Sequence, residues 1–178
     1  MRLYHTSKVE IKEPDLHRGR ANADFGPGFY LTPDKEFAYR WAGKNAVINI
    51  YDLDTTDLGI YRLNRDMEWF RYIFSNRNVK DTIEADAVMG PIANDTIYDT
   101  LGILTSGLIS DEDALRILLM GPEYIQVAIK TEKALNRLKW LESETITDTS
   151  KWAEQLKKEQ EDYQVAFNRI IEEIADRE

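Results

Sequence analysis

The chain has 178 residues, 43% hydrophobic and 31% charged, the composition of a globular domain long enough to bury a sizeable core. Its 32 acidic and 23 basic residues leave a net charge of -9, which disfavours tracking along nucleic acid, where basic side chains must replace counterions. The absence of cysteine excludes disulfides, thiolate metal sites and a cysteine nucleophile, and no apolar run approaches the length of a membrane span. The N-terminus carries no basic-then-apolar leader, so a cytoplasmic protein is expected.

Residues 2–6 read as a strand carrying His5, one of only two histidines. Loop and turn follow over 8–27, punctuated by Pro14, Gly19 and Pro27. In Asp24-Phe-Gly-Pro-Gly-Phe-Tyr-Leu-Thr32, Gly26 and Gly28 permit a tight turn and close approach to a ligand, and a short strand follows at once. Residues 34–42 read as a helix with Thr32 as N-cap, placing Phe37 and Trp41 on one face. The β-branched run 46–53 predicts a strand, 65–76 an amphipathic helix, and 85–89 a buried strand ending at Gly90-Pro91. Helices are expected over 94–107 and 111–120, capped by Asn94 and Ser110. A strand over 124–129, a short helix over 131–138 and a closing strand over 139–146 complete a mixed α+β domain.

The last segment differs. From Ser150 to Glu178 there is neither Gly nor Pro, and Leu156, Tyr163 and Ile170 recur every seven residues. Phe167 and Ile174 follow a second track that Gln160 interrupts. One long amphipathic helix is expected, either packed on its own domain or forming an interface with a protein partner or a second copy. The boundaries are therefore a domain over 1–147 and a C-terminal helix over 148–178.

Several chemistries lack their residues. There is no phosphate-binding loop with its lysine, no dinucleotide glycine fingerprint after a first strand, and no serine in a nucleophile elbow. Nor is there an HExxH motif or histidine cluster, so no metal is expected.

Read in order, Leu3-Tyr-His-Thr-Ser7, Phe25-Gly-Pro-Gly-Phe-Tyr-Leu-Thr32 and an aromatic-bearing helix ending at Trp41 resemble the start of an ADP-ribosyltransferase domain of the poly(ADP-ribose) polymerase and diphtheria-toxin type. The set is still more similar to an uncharacterised bacterial family of that clan. Its marks are Pro14-Asp-Leu16, Gly19-Arg20, the 24–32 block, Gly90-Pro-Ile-Ala-Asn-Asp-Thr-Ile-Tyr98 and Lys130-Thr-Glu-Lys-Ala-Leu135, within roughly residues 1–145. The resemblance implies split antiparallel sheets facing each other across a cleft, with flanking helices. It also implies NAD as substrate, and a mono-ADP-ribosyltransferase or NAD glycohydrolase, in the manner of a toxin, acting on an unknown protein, small-molecule or RNA acceptor.

By position, the resemblance makes His5 the histidine that hydrogen-bonds a ribose hydroxyl. It makes Tyr30 the tyrosine beside nicotinamide, and Trp41, or Tyr39 if the register slips, the ring on its other side. Thr6 stands where many relatives carry a glycine whose backbone grips the carboxamide; that backbone contact survives the change of side chain, although a threonine could narrow the pocket. Gly28 lets the turn approach the cofactor, and Arg20, more than Arg18, offers a fork for the pyrophosphate. His17 reads as an exposed loop residue.

The departure from the family pattern is at Gln126, where the polymerase type has its catalytic glutamate. An amide still accepts a hydrogen bond but supplies no charge to an oxocarbenium-like transition state. Asp95 and Glu123 are the candidate substitutes. Asn94 is a candidate cofactor contact, and Asn94 and Asp95 equally suit a helix cap and its dipole. Two other classes are compatible with Gln126 and the C-terminal helix. One is a catalytically silent NAD or ADP-ribose-binding module; the other is an interaction protein that keeps the fold.

Overall fold

A computed structural model describes residues 1–93 and 109–176, apart from the side chains of Leu118 and Lys151. The helix expected over 94–107, with Asn94 and Asp95, lies outside the described residues. Those described form an α+β fold of seven strands and five α-helices. One sheet has β1 (Arg2–Ser7), β3 (Val47–Leu53) and β7 (Leu138–Thr145) in the order β1-β3-β7. The other has β2 (Phe29–Leu31), β4 (Ile60–Arg62), β5 (Ala87–Pro91) and β6 (Ile125–Ile129) in the order β2-β6-β5-β4. All pairings are antiparallel except β4 with β5.

The sheets are joined where β1 meets the end of β2. Tyr4 and Thr32 exchange backbone hydrogen bonds of 2.8 and 2.9 Å, setting His5 one residue beyond the junction. The helix α1 (Lys35–Arg40) starts just after that junction. Its cap is Asp34, whose carboxylate accepts from Glu36 and Phe37 at 2.8 and 3.2 Å. The expected cap, Thr32, is used elsewhere: its hydroxyl donates to the Ile125 carbonyl at 2.8 Å and accepts from Asp34 at 3.1 Å, tying β2 to β6. A second difference concerns β5, which runs on through Gly90-Pro91 where the strand was expected to end. Gly90 is required there because a Cβ would come 2.9 Å from the Leu63 Cβ.

The helices α2 (Met67–Arg77), α3 (Asp111–Leu118), α4 (Glu132–Leu135) and α5 (Ser150–Ala175) complete the fold. On α2, Trp69 is fully buried and its indole donates to the Pro91 carbonyl at 2.7 Å, seating the helix on the end of β5. On α5, buried Tyr163 joins the core around Trp69 and Phe25, and Trp152 stacks on Tyr39 at 5.5 Å. Arg116 of α3 pairs with Glu173 at 2.8 Å. The C-terminal helix thus packs on its own domain. Among the described residues, no helix is long and apolar enough to cross a membrane.

Candidate functional site

The turn expected to matter most is held from several sides. The Tyr30 hydroxyl donates to the Gly26 carbonyl at 2.6 Å and accepts from the Phe25 amide at 3.0 Å. Asn76 donates to the Asp24 carbonyl at 3.0 Å, and Lys130 reaches the Phe25 carbonyl. Gly26 has φ of 73°, and a Cβ there would lie 2.9 Å from Asn76 Oδ1. Burial pushes the Tyr30 phenol well above its usual range, with the nearby carboxylates adding to the effect, so it stays protonated as a donor.

Beside this turn lies a cavity of about 240 Å3 whose wall includes Arg20, Asp24, Tyr30, Trp41, Arg77 and Gln126. The sequence expectations meet here in part. Tyr30, Trp41, Gln126 and Arg20 share one wall although they come from four separated segments. Trp41, at the end of α1, is 55% exposed. Tyr39 is on the opposite side, stacked on Trp152 and donating to Glu144 at 2.7 Å, so Trp41 holds the cavity position. Arg20 is exposed and makes no hydrogen bond or ion pair among the described residues. Arg18 instead pairs with Asp15 at 3.4 Å, and His17 is exposed.

Other expected residues sit off this wall. The Thr6 hydroxyl donates to the Ala38 carbonyl at 2.6 Å, so it anchors α1 to β1 instead of narrowing the cavity. His5 packs on Phe29 at 4.5 Å and bonds the Tyr30 carbonyl through Nδ1 at 2.6 Å. A carbonyl only accepts, so Nδ1 carries the proton and Nε2 is the acceptor. Burial lowers the His5 pKa against the opposing effect of that bond. Gly28 serves the chain itself: a Cβ would come 2.5 Å from the Ile129 carbonyl oxygen. Glu123 is exposed, near enough to Arg65 for its charge to act there, and is not part of the cavity wall that Gln126 lines.

The residue that sequence motifs alone did not single out is Asp24. It is 7% exposed and lines the cavity next to Gln126. Its Oδ2 accepts from Gln126 Nε2 at 3.1 Å and from the Ala93 amide at 3.0 Å, and its Oδ1 pairs with Arg77. Burial raises the Asp24 pKa; Arg77, the Ala93 amide and the Gln126 amide pull it partly back. A carboxylate can only accept from the amide, so Nε2 faces Asp24 and Oε1 remains as the Gln126 acceptor. The signal in the sequence was the block itself, since Asp24 opens the glycine turn. Its partners Arg77 and Ala93 are distant in sequence, and no spacing rule connects them.

The wall therefore offers an aromatic face, a guanidinium at the rim, a neutral acceptor and a carboxylate already matched by an arginine. Such a set suits a planar ring attached to hydroxyl-bearing and anionic groups. Among the described residues, no cluster of three or more His, Asp or Glu side chains is placed to hold a metal ion.

A family model described as "Protein of unknown function (DUF3990)" matches residues 1–140, and the chain belongs to that family. Neither curated proteins nor solved structures give a match.

Proposed function

We propose that this protein is an ADP-ribosyltransferase-like protein that binds NAD in the cavity beside Tyr30, with its two sheets forming the split-sheet fold of that clan. The observation that carries the reading is the sharing of one cavity wall by Tyr30, Trp41, Gln126 and Arg20, four residues that the resemblance selects on motif order alone. Nicotinamide packs against Trp41 and Tyr30, Gln126 Oε1 accepts a ribose hydroxyl, and Arg20 meets the pyrophosphate. In transfer, a nucleophile on the acceptor attacks C1′ of the ribose. The glycosidic bond breaks with its electrons going to nicotinamide, which leaves neutral, and the acceptor's proton passes to solvent. With water as nucleophile the same step is NAD hydrolysis.

The charge balance favours slow chemistry. Asp24 supplies the carboxylate missing at position 126, but Arg77 neutralises it, leaving little net field to stabilise positive charge on the ribose. This same pairing favours a second reading, a module that binds NAD or ADP-ribose without turning it over. Mass spectrometry of a cell lysate incubated with protein and NAD, together with an assay for nicotinamide release, tests the first reading. ADP-ribose adducts or free nicotinamide above the uncatalysed level are expected. NAD binding with neither product would replace it with the second reading.

A further inference from the structure

The cavity beside Tyr30 shares Phe37, Trp41 and Ile92 with a second cavity of about 250 Å3. The remaining walls of this second space come from Arg40 and Arg65, from Gly121, Pro122 and Tyr124 ahead of β6, and from α5, which lies beyond the family-matched residues 1–140. Its character is aromatic. Phe37 and Tyr124 are stacked at 4.4 Å and 9°, and Trp41 meets Phe37 edge-on at 6.0 Å and 88°. Trp41 is 55% exposed and Leu156, on the facing helix, is 39% exposed. The cavity thus has apolar surface open to solvent on both the α1 and the α5 side.

Its charges are matched within the protein. Arg40 pairs with Glu159 at 2.6 Å, and the Tyr124 hydroxyl donates to the same carboxylate. Arg65 donates to the Met120 and Gly121 carbonyls at 2.8 and 3.1 Å, and the Glu123 charge acts on it from nearby. A charged ligand would meet no unmatched counter-charge here and would lose its hydration. Polar capacity remains for a neutral one. The Gln160 amide offers both donor and acceptor at the rim, and Glu159 keeps lone pairs beyond those it uses. The volume is below the roughly 300–1,000 Å3 of sites for drug-sized ligands, so it suits a single ring system.

We propose that this helix-walled cavity is a binding subsite for a neutral, purine-sized heteroaromatic ring, adjoining the cavity beside Tyr30. The ring packs between Trp41 and Leu156 and takes its polar contacts from Gln160 and Glu159. Two sources share this chemistry: the adenine end of a dinucleotide whose other end occupies the first cavity, and a separate molecule bearing a nucleobase. The subsite itself stands whether or not NAD is turned over.

Calorimetric titration of the full chain with adenosine tests it. The wild type should bind, and Leu156→Arg should weaken binding by at least about tenfold, because it drives a charge into the apolar wall. Tyr124→Leu should weaken it too, by removing an aromatic wall, while Val165→Ala, on the exposed face of α5 and outside both cavities, should leave it within roughly twofold. Melting curves verify that each variant is folded. Repeats in excess nicotinamide mononucleotide and in excess NAD separate the sources: adenosine binding that survives the mononucleotide but is lost to NAD assigns the subsite to the dinucleotide's own adenine, binding retained in both assigns it to a separate molecule, and loss to the mononucleotide would overturn a distinct subsite. Absence of adenosine binding to the wild type would overturn the proposal, as would undiminished binding to folded Leu156→Arg and Tyr124→Leu.

Discussion

Replacing Arg77 with methionine tests whether the Asp24 carboxylate is charged and held by its arginine. The side chains are 9% and 14% exposed for Asp24 and Arg77, so neither charge is well screened by water. Removing one member of such a pair leaves a buried charge unmatched, at a cost of roughly 3–5 kcal/mol. The amides of Ala93 and Gln126 still solvate Oδ2, so the lower half of that range is expected. For a chain of this size the loss corresponds to roughly 6–16 °C in Tm. The loss also has a pH signature. The folded-state pKa of Asp24 already lies above its usual value, and removing Arg77 raises it further. A raised carboxyl pKa makes the folded state bind the proton more readily than the unfolded chain, so stability falls as pH rises from the unfolded to the folded pKa. The deficit of Arg77→Met should therefore be smallest in acid and reach its full size above the raised pKa. Urea denaturation from pH 4 to pH 8 measures both features, and Asp24→Asn/Arg77→Met should recover much of the loss. A deficit below about 1 kcal/mol, or one that does not change with pH, would refute a charged, arginine-held Asp24.

Three other outcomes follow from the same geometry. Gln126→Glu puts a second carboxylate beside Asp24, which raises one of the two pKa values; the variant should be less stable at pH 8 than at pH 5 relative to wild type, and equal losses at both would contradict the contact. His5, whose pKa is lowered in the fold, is protonated first in the unfolded chain, so it contributes stability that is present above its ordinary 6.5 and lost as pH falls toward the depressed value. His5→Gln should flatten the stability curve in that window, and an unchanged slope would place the pH dependence elsewhere. Gly28→Ala should cost roughly 1–3 kcal/mol in urea denaturation, because backbone on both sides must move to admit the methyl group, and a loss within 0.5 kcal/mol would show that the approach is looser than 2.5 Å.

The parts of the fold carried by local signals were legible. The β-branched run over 47–53, the glycine turn into β2 and the unbroken amphipathic repeat from Ser150 each follow from neighbours in sequence. What escaped was set by distant contacts. The strand β4 has only three residues, two of them exposed, and acquires its identity from parallel pairing with β5. Thr32 and Asp34 both read as helix caps, and only the Ile125 carbonyl explains why Asp34 takes the role. At the candidate site, Tyr30, Trp41, Arg20 and Gln126 are marked by motif order, whereas the partnership of Asp24 with Arg77 and Gln126 spans most of the chain. His5 and Thr6 were placed on the correct strand, but the register points their hydrogen bonds at Tyr30 and Ala38 instead of the cavity wall.

The most direct measurement is calorimetric titration of NAD into wild type and Trp41→Ala. Trp41 has over half its surface exposed, so the substitution spares the core, and it removes one aromatic face from the cavity. Saturable NAD binding to the wild type is predicted, weakened in the variant by roughly two- to tenfold, as expected for an aromatic contact of about 0.5–1.5 kcal/mol. Absence of NAD binding to the folded wild type, or equal affinity in the two proteins, would contradict nicotinamide binding against Trp41.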